Sequence, residues 1–191
     1  MNLTHHFLLS MPSLTNSWFE KTVTYVFEHN EDGALGFVIN RAAPISITEV
    51  YQQLEINISD TITLAADVLE GGPIDSQRGF ILFDSRESDA NPIDAPSPHV
   101  DDGGYGISLS GSTEILGHIG AGDGPEKHLL LLGYAGWAAG QLESEMAENS
   151  WLTCQADFDI LFSGPIDSKF DRAAQSMGVD FSRLSSDTGH A

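Results

Sequence analysis

Cations are scarce in this chain. Eight lysines and arginines stand against 28 aspartates and glutamates in 191 residues, a formal net charge of −20. A field of that sign repels phosphate backbones at long range. The eight cations (Lys21, Arg41, Arg78, Arg86, Lys127, Lys169, Arg172, Arg183) are scattered, not gathered into the basic stripe that counterion release on DNA requires. Direct nucleic-acid binding is therefore not expected, and the charge reads as solubility or as an acidic docking face for a basic partner. Cysteine is scarcer still. Cys154 is the only one, which excludes an intramolecular disulfide and any paired-thiol metal site and fits a reducing compartment. The longest apolar run, near 129–132, falls far short of the ~20 residues that span a bilayer. Residues 1–10 have no basic lead and resemble no secretory signal. The expectation is a cytoplasmic protein that does not enter the membrane.

Catalytic patterns are missing too. Residues 106–110, Gly-Ile-Ser-Leu-Ser, lack the closing glycine of a nucleophile elbow. Residues 120–125, Gly-Ala-Gly-Asp-Gly-Pro, lack the Lys-Ser/Thr of a phosphate loop and put an acid where a phosphate would lie. The seven histidines offer no H-E-x-x-H spacing, and His5 and His6, as strand neighbours, point to opposite faces. The stretch Asp89-Ala-Asn91-Pro-Ile93 puts isoleucine where a calcium loop needs oxygen. No metal ion and no cofactor are expected. Cys154 has no cation beside it to favour a thiolate, so it reads as a structural thiol.

What is present suits a globular domain: 41% hydrophobic residues, in a chain long enough to bury one core. Residues 22–27 alternate polar and apolar, break at Asp32-Gly33, and give way to the apolar 37–39, which predicts two strands joined by a turn. Ser46-Ile-Thr-Glu49 is a capping box, followed by Ile47, Val50, Tyr51 and Leu54 at helical spacing. Strands are expected at 68–70 and 79–84 around the breaker Gly71-Gly72-Pro73, then at 105–109 and 128–132, with a short helix at 112–117 and a turn at 120–125. Residues 84–104, acidic and proline-bearing, read as an extended surface loop. A helix at 141–149 turns Leu142 and Met146 inward and Glu143, Glu145 and Glu148 outward, and 151 and 158–162 read as further strand. Pro165 opens a last helix whose face carries Ile166, Phe170, Ala173, Ala174 and Met177, ending at Gly178, with a polar tail over 181–191.

One segment stands apart. From Gly133-Tyr-Ala-Gly-Trp137 to Met146 a strand ends, three glycines allow close backbone approach and a helix begins. Two readings compete: the glycines let Tyr134 and Trp137 pack against the sheet, or the turn binds a ligand. Glu143 and Glu145, read as first-turn residues, would favour a cation, an amine or a basic peptide over a phosphate.

Taken in order, Met11-Pro12, Glu28-His29-Asn30 with Gly33 and Gly36, Asn40-Arg41, Gly71-Gly72-Pro73, Arg78-Gly79-Phe80, Gly133-Tyr-Ala-Gly-Trp137, Gly140-Gln-Leu-Glu143 and Trp151-Leu152 resemble the AlgH/YqgE-like bacterial family over nearly the whole chain. The resemblance implies a compact α+β single domain over 1–180, with coiled, bifurcated, mainly antiparallel sheets and about three to four helices. It implies no established activity, although some members are described as transcriptional regulators. Some relatives carry cysteine before the Glu-His pair where this chain has Phe27, so a thiol role there does not carry over.

The expectation is a non-catalytic binding or regulatory protein acting through a protein or small-molecule partner. Its candidate groove comprises His29, Asn40, Arg41, Gly71, Gly72, Arg78, Tyr134, Gly136, Trp137, Gln141 and Glu143. A rival is an enzyme using His29 as acid or base with Glu143 or Arg78 in support. A direct DNA regulator is the third reading, disfavoured by the charge.

Overall fold

Strand formation follows the alternation just described. The computed structural model describes residues 1–59, 67–86 and 105–179. Among these residues eight strands are present: β1 His6–Ser10, β2 Val23–Asn30, β3 Gly33–Val38, β4 Val68–Glu70, β5 Ile74–Asp84, β6 Ile107–Ser110, β7 His128–Ala138 and β8 Trp151–Gln155. The helices are α1 Ile47–Gln53, α2 Thr113–Ala121, α3 Gln141–Ala147, α4 Phe158–Phe162 and α5 Lys169–Ser176. The strand order is β6-β5-β7-β3-β2-β1-β8, with β4 parallel on β7 and the other registered pairs antiparallel. The α+β class and the mainly antiparallel pairing thus hold. Among the described residues five α-helices stand where about three to four are expected, and the sheet is not strongly curled, against the coiling that the resemblance implies.

Contacts divide the chain into two compact units. One takes residues 1–41, 71–74 and those from 134 onward; the other takes 42–70 and 75–133. In the first, β1 lies between β2 and β8, pairing Phe7 with Tyr25 and with Cys154. Phe7, Leu9, Val23, Tyr25 and Phe37 are fully buried, and α5 buries Ala173 and Ala174. In the second, Ile47 and Tyr51 of α1 and Ile115, Leu116 and Ile119 of α2 form one cluster with Val68, Ile81 and Leu130. The capping box is formed: the Ser46 Oγ accepts from Glu49 N at 3.2 Å and Glu49 accepts from Ser46 N at 2.8 Å.

Several boundaries are corrected. Residues 158–162 are helix, not strand, because the Asp157 carboxylate accepts from Ile160 N at 2.9 Å and caps the turn. Leu54 is 44% exposed, because α1 ends at Gln53 and Leu54 occupies its C-cap. Gly120 and Ala121 belong to α2, which ends at Ala121 with Gly122 as its C-cap, so the turn read at 120–125 starts later. β5 begins at Ile74 rather than 79, and β7 runs on to Ala138 rather than stopping at 132. Of the acidic loop read over 84–104, residues 87–104 lie outside the described residues, as does the tail at 181–191. Asp84 itself is buried at the end of β5. Burial alone would raise its carboxyl, but hydrogen bonds from the Arg86 guanidinium and backbone hold it below the usual range.

Candidate functional site

Of the segment for which packing and ligand binding compete as readings, residues 133–138 are strand. At 130–132 β7 pairs with β4, and at 135–138 it pairs with β3. The changeover falls at Gly133, whose φ of 70° is a left-handed backbone that favours glycine. The turn before α3 is thereby reduced to residues 139–140. Trp137 is 6% exposed, in a cluster with Leu3, Leu8, Val26, Leu142 and Trp151. Its ring stacks on Phe19 at 6.4 Å and meets Trp151 edge-on at 6.0 Å.

Glu145 holds this cluster together. Its Oε2 accepts from Trp137 Nε1 at 2.9 Å and from Trp151 Nε1 at 2.8 Å, while Oε1 accepts from Gln141 Nε2 at 2.9 Å. Gln141 in turn accepts from Ala138 N. Two buried indole N–H groups need an acceptor, and one carboxylate serves both. Glu145 therefore turns back onto the sheet instead of outward, and it lies beyond the first turn of α3. Its place three residues after the already-cited Leu142 gave no sign of this role; the two tryptophans were the available signal.

His29 meets Glu143. Leu3 N donates to His29 Nδ1 at 3.0 Å, and His29 Nε2 lies 2.9 Å from Glu143 Oε1. A backbone donor on Nδ1 makes that nitrogen the acceptor and assigns the ring proton to Nε2, which donates to the carboxylate. The His29 side chain is buried, and Glu143 is 42% exposed. The Glu143 carboxyl is held below the usual range, first by its own backbone N–H and then by the His29 ring. With both nitrogens engaged inside the protein, His29 has no free position to offer a substrate.

Asn40 and Arg41 fasten the segment between β1 and β2. Asn40 Oδ1 accepts from Val23 N at 2.8 Å and Nδ2 donates to Lys21 O at 2.9 Å, securing Lys21 at a left-handed φ of 53°. Arg41 donates to Trp18 O at 2.6 Å and lies 4.3 Å over the Trp18 ring. Asn40→Ala is expected to cost about 1–2 kcal/mol by leaving the Val23 N–H unpaired, read as a lower midpoint in chemical denaturation.

Gly71 and Gly72 also serve packing. Gly71 O accepts from Val38 N at 2.8 Å, and a Cβ on Gly72 would lie 1.9 Å from the Tyr134 carbonyl carbon. At Gly136 a Cβ would crowd Ile74 and the Tyr134 ring. Arg78 belongs to the other unit, exposed on β5 with its guanidinium 5.1 Å over the Phe80 ring. The sequence residues thus come together in pairs, as His29 with Glu143 and Trp137 with Gln141 through Glu145.

Asn40 also lines a recess of about 550 Å³ in the first unit. Met11 and Pro12, Glu20 and Lys21, and Asp167, Phe170 and Asp171 surround it. Sequence alone does not reveal it, because its wall combines three segments far apart in the chain, and Met11-Pro12 carries no role of its own in the sequence. Among the described residues no group of three or more His, Cys, Asp or Glu side chains could hold a metal ion, and no helix is long and apolar enough to cross a membrane. Cys154 is half-buried, and burial pushes its thiol up, away from the reactive thiolate.

Fold and geometry define an α+β protein of mainly antiparallel sheet, with a tryptophan–carboxylate knot and an acid-rimmed recess. The chain belongs to the AlgH-like family (DUF179), whose match covers residues 7–182. It is 42% identical over 193 residues to the UPF0301 protein AlgH of Pseudomonas aeruginosa, covering 99% of this chain and 96% of that one. It is 41% identical over 195 residues to a UPF0301 protein of Photobacterium profundum, covering both in full. The solution structure of the Pseudomonas aeruginosa AlgH protein matches with a TM-score of 0.72 at 42% identity, over 100% of this chain and 97% of that one. A crystal structure of a Corynebacterium diphtheriae protein shares the fold at 18% identity and a TM-score of 0.71, over 96% and 92%.

Proposed function

We propose that this is a non-catalytic binding protein, and that the recess beside Asn40 takes a cationic partner: an amine or a basic peptide. One observation carries the reading. Glu20, Asp167 and Asp171 on the rim outnumber the single cation Lys21, over the apolar surfaces of Met11, Pro12 and Phe170. Such a surface suits the alkyl stem and ammonium head of lysine-like groups, and the chain's charge of −20 speeds the encounter. The engaged state of His29 favours binding over acid–base chemistry. Any regulatory effect then runs through a partner rather than through DNA. The groove drawn from the sequence shrinks to Asn40 and its neighbours, since Trp137 and Glu143 have partners inside the protein.

The test is a titration of the labelled full chain with trilysine, followed by amide NMR. Saturable shifts are expected at Met11, Asn40 and Phe170. Asp167→Asn with Asp171→Asn should weaken binding about tenfold, two exposed charge contacts of roughly 0.5–1 kcal/mol each. Glu114→Gln with Glu126→Gln makes the same change in net charge within the other unit and should have little effect. Equal weakening in both double variants would mean that only the overall field matters, and the reading would fail.

A further inference from the structure

The second unit holds a recess of its own, about 460 Å³ in volume, independent of the one just described. It opens between α1 and α2 above the sheet. Val50 and Leu54 line it from α1 and its C-cap, Leu116 from α2, and Leu130 and Leu132 from β7. Leu132 lies in a strand flanked by β4 and β5 and remains half-buried, at the margin of the cluster that α1 and α2 form. Among the described residues the 14 that line it carry no charge, in a chain where charged residues make up 19%. The polar lining is confined to amides and hydroxyls such as Gln53, Gln77 and Thr113.

We infer that this recess binds a small neutral ligand with an aliphatic chain and a single hydroxyl or amide head. Leucine and valine walls gain from apolar burial and offer no counter-charge to an ionic group. Gln53, Gln77 and Thr113 can exchange hydrogen bonds with an uncharged head. An anion would meet the protein's negative field, and a cation would find no carboxylate in the lining. The volume lies within the range of small-molecule sites and accommodates a chain of about eight carbons.

The probe is octan-1-ol, titrated into the labelled full chain and read by amide NMR, with octanoate and octylamine in parallel. Saturable shifts confined to residues around Val50, Leu116 and Leu132 are expected for octanol. Val50→Phe, which fills the recess, should weaken binding about tenfold, or 1.4 kcal/mol. Leu54→Phe, at an exposed position that does not threaten folding, should act in the same direction. Shifts that never saturate, or that spread equally over both units, would overturn the inference. So would octanoate or octylamine binding as tightly as octanol, or octanol affinity unchanged in a folded Leu54→Phe chain.

Discussion

Replacing Trp137 by alanine is expected to lower the stability of the chain by about 3–5 kcal/mol, the range for deleting a buried tryptophan. The side chain is 6% exposed and touches Phe19 and Trp151, so neighbours on a packed sheet cannot close the void without moving. Little polar cost adds to the cavity. Without the Trp137 N–H, Glu145 keeps its bonds from Trp151 and Gln141, so the carboxylate remains satisfied and the cavity dominates. Glu145→Leu separates the two contributions. It leaves both indole N–H groups without their acceptor, each at about 1–3 kcal/mol. Glu145→Gln keeps one acceptor oxygen and should cost less than Glu145→Leu. Urea denaturation followed by tryptophan emission measures all three. A Trp137→Ala chain within about 1 kcal/mol of the parent would show that the cluster is not a core, a magnitude usual for surface sites.

For the same residue the sequence alone leaves two readings open. Three glycines around a tryptophan are compatible with close packing and with an open turn. Local pattern could not choose, because the deciding contacts come from Phe19, Gly36 and Trp151, all distant in sequence. Where information is local, the reading held: the capping box at Ser46, the strand begun by residues 22–27 and the helical face at Ala173 and Ala174, although β2 is buried on both faces rather than alternating. The helix at 158–162 was missed because five residues carry too little periodicity, and the Asp157 cap was the only local clue. The His29–Glu143 pair was named as a possible team, but its character depended on the Leu3 N–H, 26 positions away. A histidine's partners decide whether it is a reagent or a brace, and backbone partners leave no trace in sequence. Both recesses escaped for the same reason, since each is a gap between elements that the chain brings together only on folding.

Lys169 shows how a residue with no sequence motif can dominate the pH response. It is 2% exposed, and its ammonium donates to Ile160 O at 2.6 Å and Leu161 O at 2.7 Å. Burial, with Arg172 adding to it and Asp159 opposing, lowers the group from 10.5 to about 8. Between those values the unfolded chain holds the proton and the folded chain does not. The unfolded state therefore binds more protons there, and stability rises with pH across that window. Below about 8 both states are protonated and the cost of burying the charge, at most about 3 kcal/mol, is fully present. Lys169→Met removes this titration but strips two carbonyls of their donor, so at neutral pH it should destabilise by about 2–4 kcal/mol. The parent's advantage over the variant should then widen from pH 8 toward 10.5, because only the parent gains from losing the proton. Denaturation of both chains across that range tests the sign. A gap that stays constant or narrows would mean that the ammonium is not desolvated, and that Lys169 acts through packing alone.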